Sequence, residues 1–398
     1  MSFSGNPSIT RAQIDNLKEQ GLVMMTDKVD KLESYCYTNT PSNEPDYLKR
    51  CRGIVFDGDE LVMEALPYTE ELPNKMEILK RYLPSDLSFC KIFPSCEGTL
   101  LRVFNYKEKW YTTTHRKLDA NKSKWGSRQS FGAYFAQALK EACRYDEDLR
   151  ELLGDDEKHI VLNLHKNVLN PSRIYLFLLL ANEHTRVVCD AVENPTVFHV
   201  GTIIDGKLDH ADNIQIRKPD VLNVSNLDDL IDWVNTAPPT LYQGAIIFGL
   251  DNRQYKVLNE NYKSSLLVRG NVPSVKFRYL QIRNDVDLVD RLLYLYPDRR
   301  RDFDKYEECL ELIAKQIYTA YVNRFIRKQH TVVPQDEFNI LKKCHEWHCT
   351  DRDANRISLE KVRQVLSEQT ATFLNHMIKK MLYPSNMVNE GLKRIRIE

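Results

Sequence analysis

The chain has 398 residues, of which 42% are hydrophobic, 10% aromatic and 28% charged, the composition of a folded protein and not of a disordered one. Its 56 basic and 56 acidic side chains cancel, which excludes a histone-like role driven by bulk charge. That length predicts two or three domains, while the longest apolar run, at 174–181, is far short of the roughly 20 residues needed to cross a bilayer.

The first twenty residues are polar and lack the apolar centre of a secretory signal, so an intracellular protein is expected. Nine scattered cysteines do not form the dense framework of a small secreted fold and are read as reduced thiols. In chain order, residues 1–50 are expected to form a helical or extended lead-in. Residues 51–280 read as a mixed domain with strands at 53–56, 99–104, 110–114, 174–180 and 245–249 and helices at 131–144 and 227–235. Beyond residue 280, Leu288, Leu292, Leu293 and Leu295, then Cys309, Leu310, Ile313 and Ile317, recur at helical spacing, as does the stretch 357–381. The fold class expected is α+β followed by an all-helical domain at 281–398.

Between positions 102 and 128 lies the densest basic cluster: Arg102, Lys107, Lys109, Arg116, Lys117, Lys122, Lys124 and Arg128, interleaved with Trp110, Tyr111 and Trp125. Cations neutralise phosphates and aromatic faces stack on bases, so this composition suits a nucleic-acid groove. It equally suits a solvated hairpin edge guarded by lysines. Cys344, His345, His348 and Cys349 suggest a metal, but the two i, i+4 pairs face about 100° apart on a helix and no second group supplies further ligands. No metal site is assigned.

Four segments occur in order: Cys51-Arg52-Gly53-Ile54-Val55-Phe56, Ser95-Cys96-Glu97-Gly98-Thr99, Gln243-Gly244-Ala245-Ile246 and Tyr255-Lys256-Val257-Leu258. Across about residues 45–282 they resemble the nucleotidyltransferase domain of ATP-dependent ligases of the phage-type RNA ligase 1 family, and the RNA-ligase-like proteins of large DNA viruses. The resemblance implies a nucleotidyltransferase fold and, in an active member, ATP and Mg²⁺ as cofactors. It also implies that a lysine in a Lys-x-Asp-Gly pattern attacks the α-phosphate to give a lysyl-AMP adduct.

Here that lysine position holds Ser95, whose hydroxyl cannot form the phosphoramidate. The glutamate before glycine is Gln243, a poorer ligand for a hard cation. Leu258 replaces the second lysine of a Lys-x-Lys pattern, and the aromatic-Glu motif has only Asn163 or Lys166 as its nearest match. What remains is Arg52, Glu97, Gly98, Arg102, Gly244 and Lys256 as nucleotide- or phosphate-binding remnants, with no catalytic residue assigned. Arg102, Lys109, Trp110, His115, Arg116, Lys117, Lys122, Lys124 and Arg128 are the expected nucleic-acid contacts, His115 being read as a hydrogen-bonding strand residue. Lys91, four positions before Ser95, is the only nearby amine on which a rescue of the chemistry would depend, but it sits at the start of an expected strand and out of register.

Two functions follow as expectations. The first is a catalytically inactive RNA-ligase-like protein, needing no cofactor, that binds RNA or DNA or assembles with viral structural proteins in the host cytoplasm or virion. The second is an active ATP-dependent RNA ligase or repair enzyme with an atypical nucleophile.

Overall fold

Residues 23–37 form two strands within the expected lead-in segment, and these strands open the first of three sheets. The computed structural model describes residues 8–41, 44–64, 66–181, 185–249 and 253–383. Two compact units divide between Leu266 and Leu267.

In the first unit, α1 (Arg11–Glu19) starts at Thr10, whose hydroxyl accepts from the Gln13 amide while the Gln13 side chain accepts from the Thr10 amide. Antiparallel β1 (Val23–Val29), β2 (Leu32–Tyr37), β3 (Arg52–Asp57) and β4 (Glu60–Met63) form a sheet in that order, with α2 (Asp46–Lys49) before β3. Ile14 and Leu17 of α1 bury against Tyr35, Ile54 and Phe56, so the N-terminal segment is integral to the domain.

Next come β5 (Glu70–Leu72), α3 (Met76–Tyr82), β6 (Lys91–Ser95), β7 (Thr99–Tyr106) and β8 (Lys109–Thr113). They are followed by α4 (Phe131–Ala142), α5 (Glu147–Leu153), α6 (Ile160–Asn167), β9 (Ile174–Leu180), β10 (Thr196–Ile204), β11 (Lys207–Asp209), α7 (Leu227–Thr236), β12 (Gly244–Phe248), β13 (Gln254–Leu258) and α8 (Glu260–Arg269), which crosses the division. A five-stranded sheet has the order β11-β10-β9-β7-β8, and a four-stranded sheet the order β5-β13-β12-β6. The apolar run 174–180 is explained by its central place: Tyr175, Phe177 and Leu179 pack under α4–α6, while Ile174 and Leu176 face Leu32, Val55, Phe93 and Phe248 where the three sheets meet. Each such fully buried side chain contributes roughly 1.5–3 kcal/mol.

The second unit is helical: α9 (Val275–Ile282), α10 (Val286–Leu295), α11 (Arg300–Tyr321), α12 (Gln335–Thr350), α13 (Leu359–Ser367) and α14 (Ala371–Leu382). Phe303, Tyr306, Leu310, Ile313, Ile317 and Ala320 form one buried stripe along α11, at the spacing the sequence shows. Ser358 and Thr370 accept from backbone amides at the starts of α13 and α14, splitting the helical stretch 357–381 in two. Arg269 is 1% exposed and fully engaged: its Nε donates to the Tyr296 hydroxyl at 2.9 Å and its Nη1 to the carbonyls of Gly270 and Val272. Arg278 donates to the carbonyls of Leu267 and Val268. The sequence around 268–278 thus closes the end of α8 onto α9.

Candidate functional site

Strand pairing brings three of the four sequence segments to one sheet end. Gly244 of β12 pairs with Ser95 of β6 on one side and Leu258 of β13 on the other. The Gln243 amide donates to the Ser95 carbonyl at 2.7 Å, and the Asn259 amide to the Gln243 carbonyl at 2.9 Å. Gly244 has φ +145°, and a Cβ there would collide with the Val257 carbonyl, so this junction requires glycine.

The side chains converge on one acceptor. Ser95 Oγ donates to Gln243 Oε1 at 3.2 Å, and Lys256 Nζ donates to the same oxygen at 2.9 Å. Glu71 stands 3.6 Å from Lys256 Nζ. Burial lowers the Lys256 pKa, Glu71 opposes that shift and Arg52 adds to it. Ser95, Gln243 and Lys256 edge a cavity of about 290 Å³ whose walls include Phe93, Leu100, Leu178, Phe198 and Phe248, with Arg52, Arg217 and Asp220 among its polar lining. An apolar slot with a few convergent polar groups is the form of a small-ligand site.

Two expected remnants also brace the scaffold. Glu97 is engaged by the amides of Val187 and Val188, at 3.1 and 2.8 Å, and by the Tyr262 hydroxyl at 2.8 Å. Gly98 lines the cavity, and a Cβ there would meet Leu178 and the Leu179 carbonyl, so it also allows close packing on β9. Leu258 lies in an apolar cluster with Val188, Cys189 and Tyr262. For a divalent cation the donor set is poor: Gln243 offers a neutral amide, and the Glu97 oxygens are already taken up by three donors. Asn163 donates to the Leu153 carbonyl on α5 and Lys166 is exposed on α6, so neither lines the cavity. Lys91 pairs with Phe248 at the far end of β6 from Ser95 and does not line it either.

Arg52 reaches the cavity through a bulge. Tyr35 pairs with Ile54 and Cys36 with Arg52, so the register skips Gly53 (φ +76°) and Arg52 emerges on the face opposite Ile54. Its Nη1 donates to the Pro67 carbonyl at 3.3 Å. Behind it, Arg102 of β7 is 0% exposed and donates from Nη2 to the Arg52 carbonyl, while its Nε and Nη1 have no partner among the described residues. His115 lies in the turn after β8, where Thr114 Oγ1 accepts from the Arg116 and Lys117 amides, and so is not the strand residue expected. Burial, with Arg102, Arg52 and Arg116 nearby, pushes the His115 pKa down to about 3.

The basic cluster is divided. Arg102 is interior, which corrects its reading as a groove contact. Lys107, Lys109 and Lys117 pair with Asp57, Asp30 and Asp27 of the first sheet, at 2.7, 2.7 and 3.5 Å. The Trp110 ring stacks on His165 with centroids 5.1 Å apart and is half-buried, so it is not a free stacking face. Arg116, Lys122, Lys124 and Arg128 are exposed and form no ion pair among the described residues. The sequence did not reveal the partners Asp27, Asp30 and Asp57, which lie about 50–90 positions away in the chain. In the second unit His348 Nδ1 contacts the Asn355 carbonyl at 2.6 Å and His345 stacks on Phe325. Among the described residues no group of three His, Cys, Asp or Glu side chains is placed to hold a metal.

No protein-family model matches the chain. It is 28% identical over 382 residues to an immediate-early protein ICP-46 homolog of Invertebrate iridescent virus 6, a match spanning 89% of this chain and 82% of that protein. A second ICP-46 homolog, from Invertebrate iridescent virus 3, is 32% identical over 314 residues, covering 75% of this chain and 65% of its own length. Among solved structures, an archaeal ATP-dependent RNA ligase is similar with a TM-score of 0.41 and 11% identity, covering 76% of this chain and 75% of its own. No helix among the described residues is long and apolar enough to cross a membrane.

Proposed function

We propose that this is a viral protein built on a ligase-type nucleotidyltransferase scaffold that binds nucleotide and nucleic acid without catalysing ligation. The observation that carries this reading is the meeting of Ser95, Gln243 and Lys256 at one cavity wall, with a hydroxyl where the resembling ligases have their nucleophilic amine. A serine oxygen cannot form the phosphoramidate, the neutral Gln243 binds a cation weakly, and Leu258 lies in an apolar cluster. The apolar slot accommodates a planar base, and the exposed Arg116, Lys122, Lys124 and Arg128 present positive charge to a phosphate backbone. In the host cytoplasm or the virion, such a module holds RNA or DNA, or joins other viral proteins, with no cofactor chemistry of its own.

The test is incubation with radiolabelled ATP and Mg²⁺ followed by denaturing electrophoresis and intact mass measurement. No adduct is expected; a chain heavier by one adenylyl group would reject the reading. Fluorescence anisotropy with single-stranded RNA should show a log-log salt slope near −3, since four unpaired cations at about 0.7 each act on the strand. The rival reading, a ligase with an atypical nucleophile, has its amine in Lys256, which lines the cavity, and not in Lys91, which does not. It requires the adduct to form and to vanish in Lys256→Ala.

A further inference from the structure

The connection between α11 and α12 presents a surface of a different kind from the cavity. α11 runs on into one wider helical turn, Val322–Ile326, closed by the Arg327 amide donating to the Val322 carbonyl at 2.9 Å. The apolar stripe of α11 continues through Tyr321 to Phe325, whose ring stacks on His345 of α12 with centroids 4.3 Å apart. Ile326 lies off that stripe and is 66% exposed. The chain rejoins the helical core at Val333, and Val332 just before it is 84% exposed. Phe325 and Val333 thus anchor a loop that shows an aliphatic side chain to solvent at each end.

Between those ends the charge is of one sign. No acidic residue occurs between Glu311 and Asp336, whereas Arg324, Arg327 and Lys328 are exposed and form no ion pair among the described residues. Arg324 lies over the Phe338 ring at 5.2 Å, which keeps it at the base of the loop. The first acids beyond are offset: Asp336 has His376 at 3.3 Å and Lys380 at 3.5 Å, and burial pushes the Glu337 pKa up. A lipid surface bearing anionic headgroups accepts cations and aliphatic side chains together. A phosphate backbone accepts the cations but has no apolar layer for Ile326 and Val332.

We propose that the loop 326–332 is a contact surface for an anionic lipid bilayer, Ile326 and Val332 entering the headgroup boundary while Arg324, Arg327 and Lys328 meet the lipid phosphates and carboxylates. The contact is peripheral and reversible, because two short aliphatic side chains and a few cations hold a protein at a bilayer surface without crossing it. It is independent of what the cavity of the first unit binds.

The full chain is tested by co-sedimentation with vesicles of phosphatidylcholine alone and of an equimolar mixture with phosphatidylserine. Beside it stand two double variants, Ile326→Ser with Val332→Ser and Arg327→Ala with Lys328→Ala. Wild type should bind the mixed vesicles about tenfold more tightly than phosphatidylcholine alone, and less tightly as salt rises. The basic pair should lose about tenfold or more, since each cation near an anionic surface is worth about a fivefold change in affinity. The aliphatic pair should lose about tenfold at unchanged net charge. All four side chains are exposed, so both variants should melt, and bind single-stranded RNA, as wild type does. The proposal is overturned if wild type ignores the mixed vesicles, or if the aliphatic variant binds them undiminished. RNA binding that falls in the basic variant, with vesicle binding indifferent to the aliphatic pair, assigns the loop to nucleic acid and likewise overturns it.

Discussion

Arg102 in the first unit and Arg269 in the second are equally buried, at 0% and 1% exposed, yet their surroundings differ. Arg269 has a phenol and two carbonyls in reach, each an uncharged acceptor supplied by nearby chain. Arg102 has a single carbonyl and sits among other cations. One arginine has its donors satisfied by the fold; the other keeps two nitrogens without a partner among the described residues. Burial alone therefore does not say how a charge is accommodated, whereas the count of satisfied donors does.

Removing each side chain is the sharpest way to break this contrast. Arg269→Met should cost about 3 kcal/mol in urea unfolding followed by circular dichroism, because it strands the Tyr296 hydroxyl and two carbonyls. An equal loss in Arg102→Met would erase the distinction. Gly53→Ala should cost about 2 kcal/mol by the same measurement, its Cβ crowding Arg102 Nη1 and the His115 backbone at a φ of +76°. Gly270→Ala, where the nearest atom is Arg278 Nε at 3.2 Å, should cost about 1 kcal/mol.

Acid should also separate the two units. Burial holds His115 near pKa 3 and His165 and His199 near 4. Below their unfolded value of about 6.5 the unfolded chain takes up more protons, so the first unit loses stability as pH falls from about 6.5 toward 4, with a slope of up to about 1.4 kcal/mol per pH unit for each histidine. In the second unit burial opposes ionisation of Glu307, but hydrogen bonds from Arg283 and Tyr279 hold its pKa below the usual value of 4.5. Its contribution is present above that value and is lost only as pH falls through it. Trp233 and Trp347 fluorescence, read separately in single-tryptophan variants, should show the first unit weakening at higher pH; coincident acid transitions would contradict this. Tyr296→Phe is the smallest expected change, about 1 kcal/mol, since Arg269 keeps its two carbonyls.

Much of the fold was readable because its signals are local. The α11 stripe and the apolar β9 run are periodicities within a single element, and the Ser95, Gln243 and Lys256 segments carry their strand patterns with them. What escaped depends on partners far off in the chain. Alternation along β7 puts Arg102 on an inner face, but nothing at 99–106 says that sheet β1–β4 covers that face. Asp27, Asp30 and Asp57 neutralise three cations from positions where they look like ordinary turn and strand residues. Residues 1–50, expected as a helical or extended lead-in, supply α1, β1 and β2, whose place in the first sheet escaped because the strands are short and half-polar, a pattern weak until paired with β3. Glu97 was read as facing a ligand, since its engagement by Val187, Val188 and Tyr262 joins segments that adjoin only after folding.

Leu258 makes a route to the lysine pattern of the resembling ligases a steep one. Exchanging Ser95 for lysine and Gln243 for glutamate would place two charges at the cavity wall, but a lysine at 258 must displace contacts with Val188, Cys189 and Tyr262 that also hold the loop gripped by Glu97. The third exchange would therefore unseat a neighbour before adding a charge, so packing makes position 258 the hardest of the three to alter.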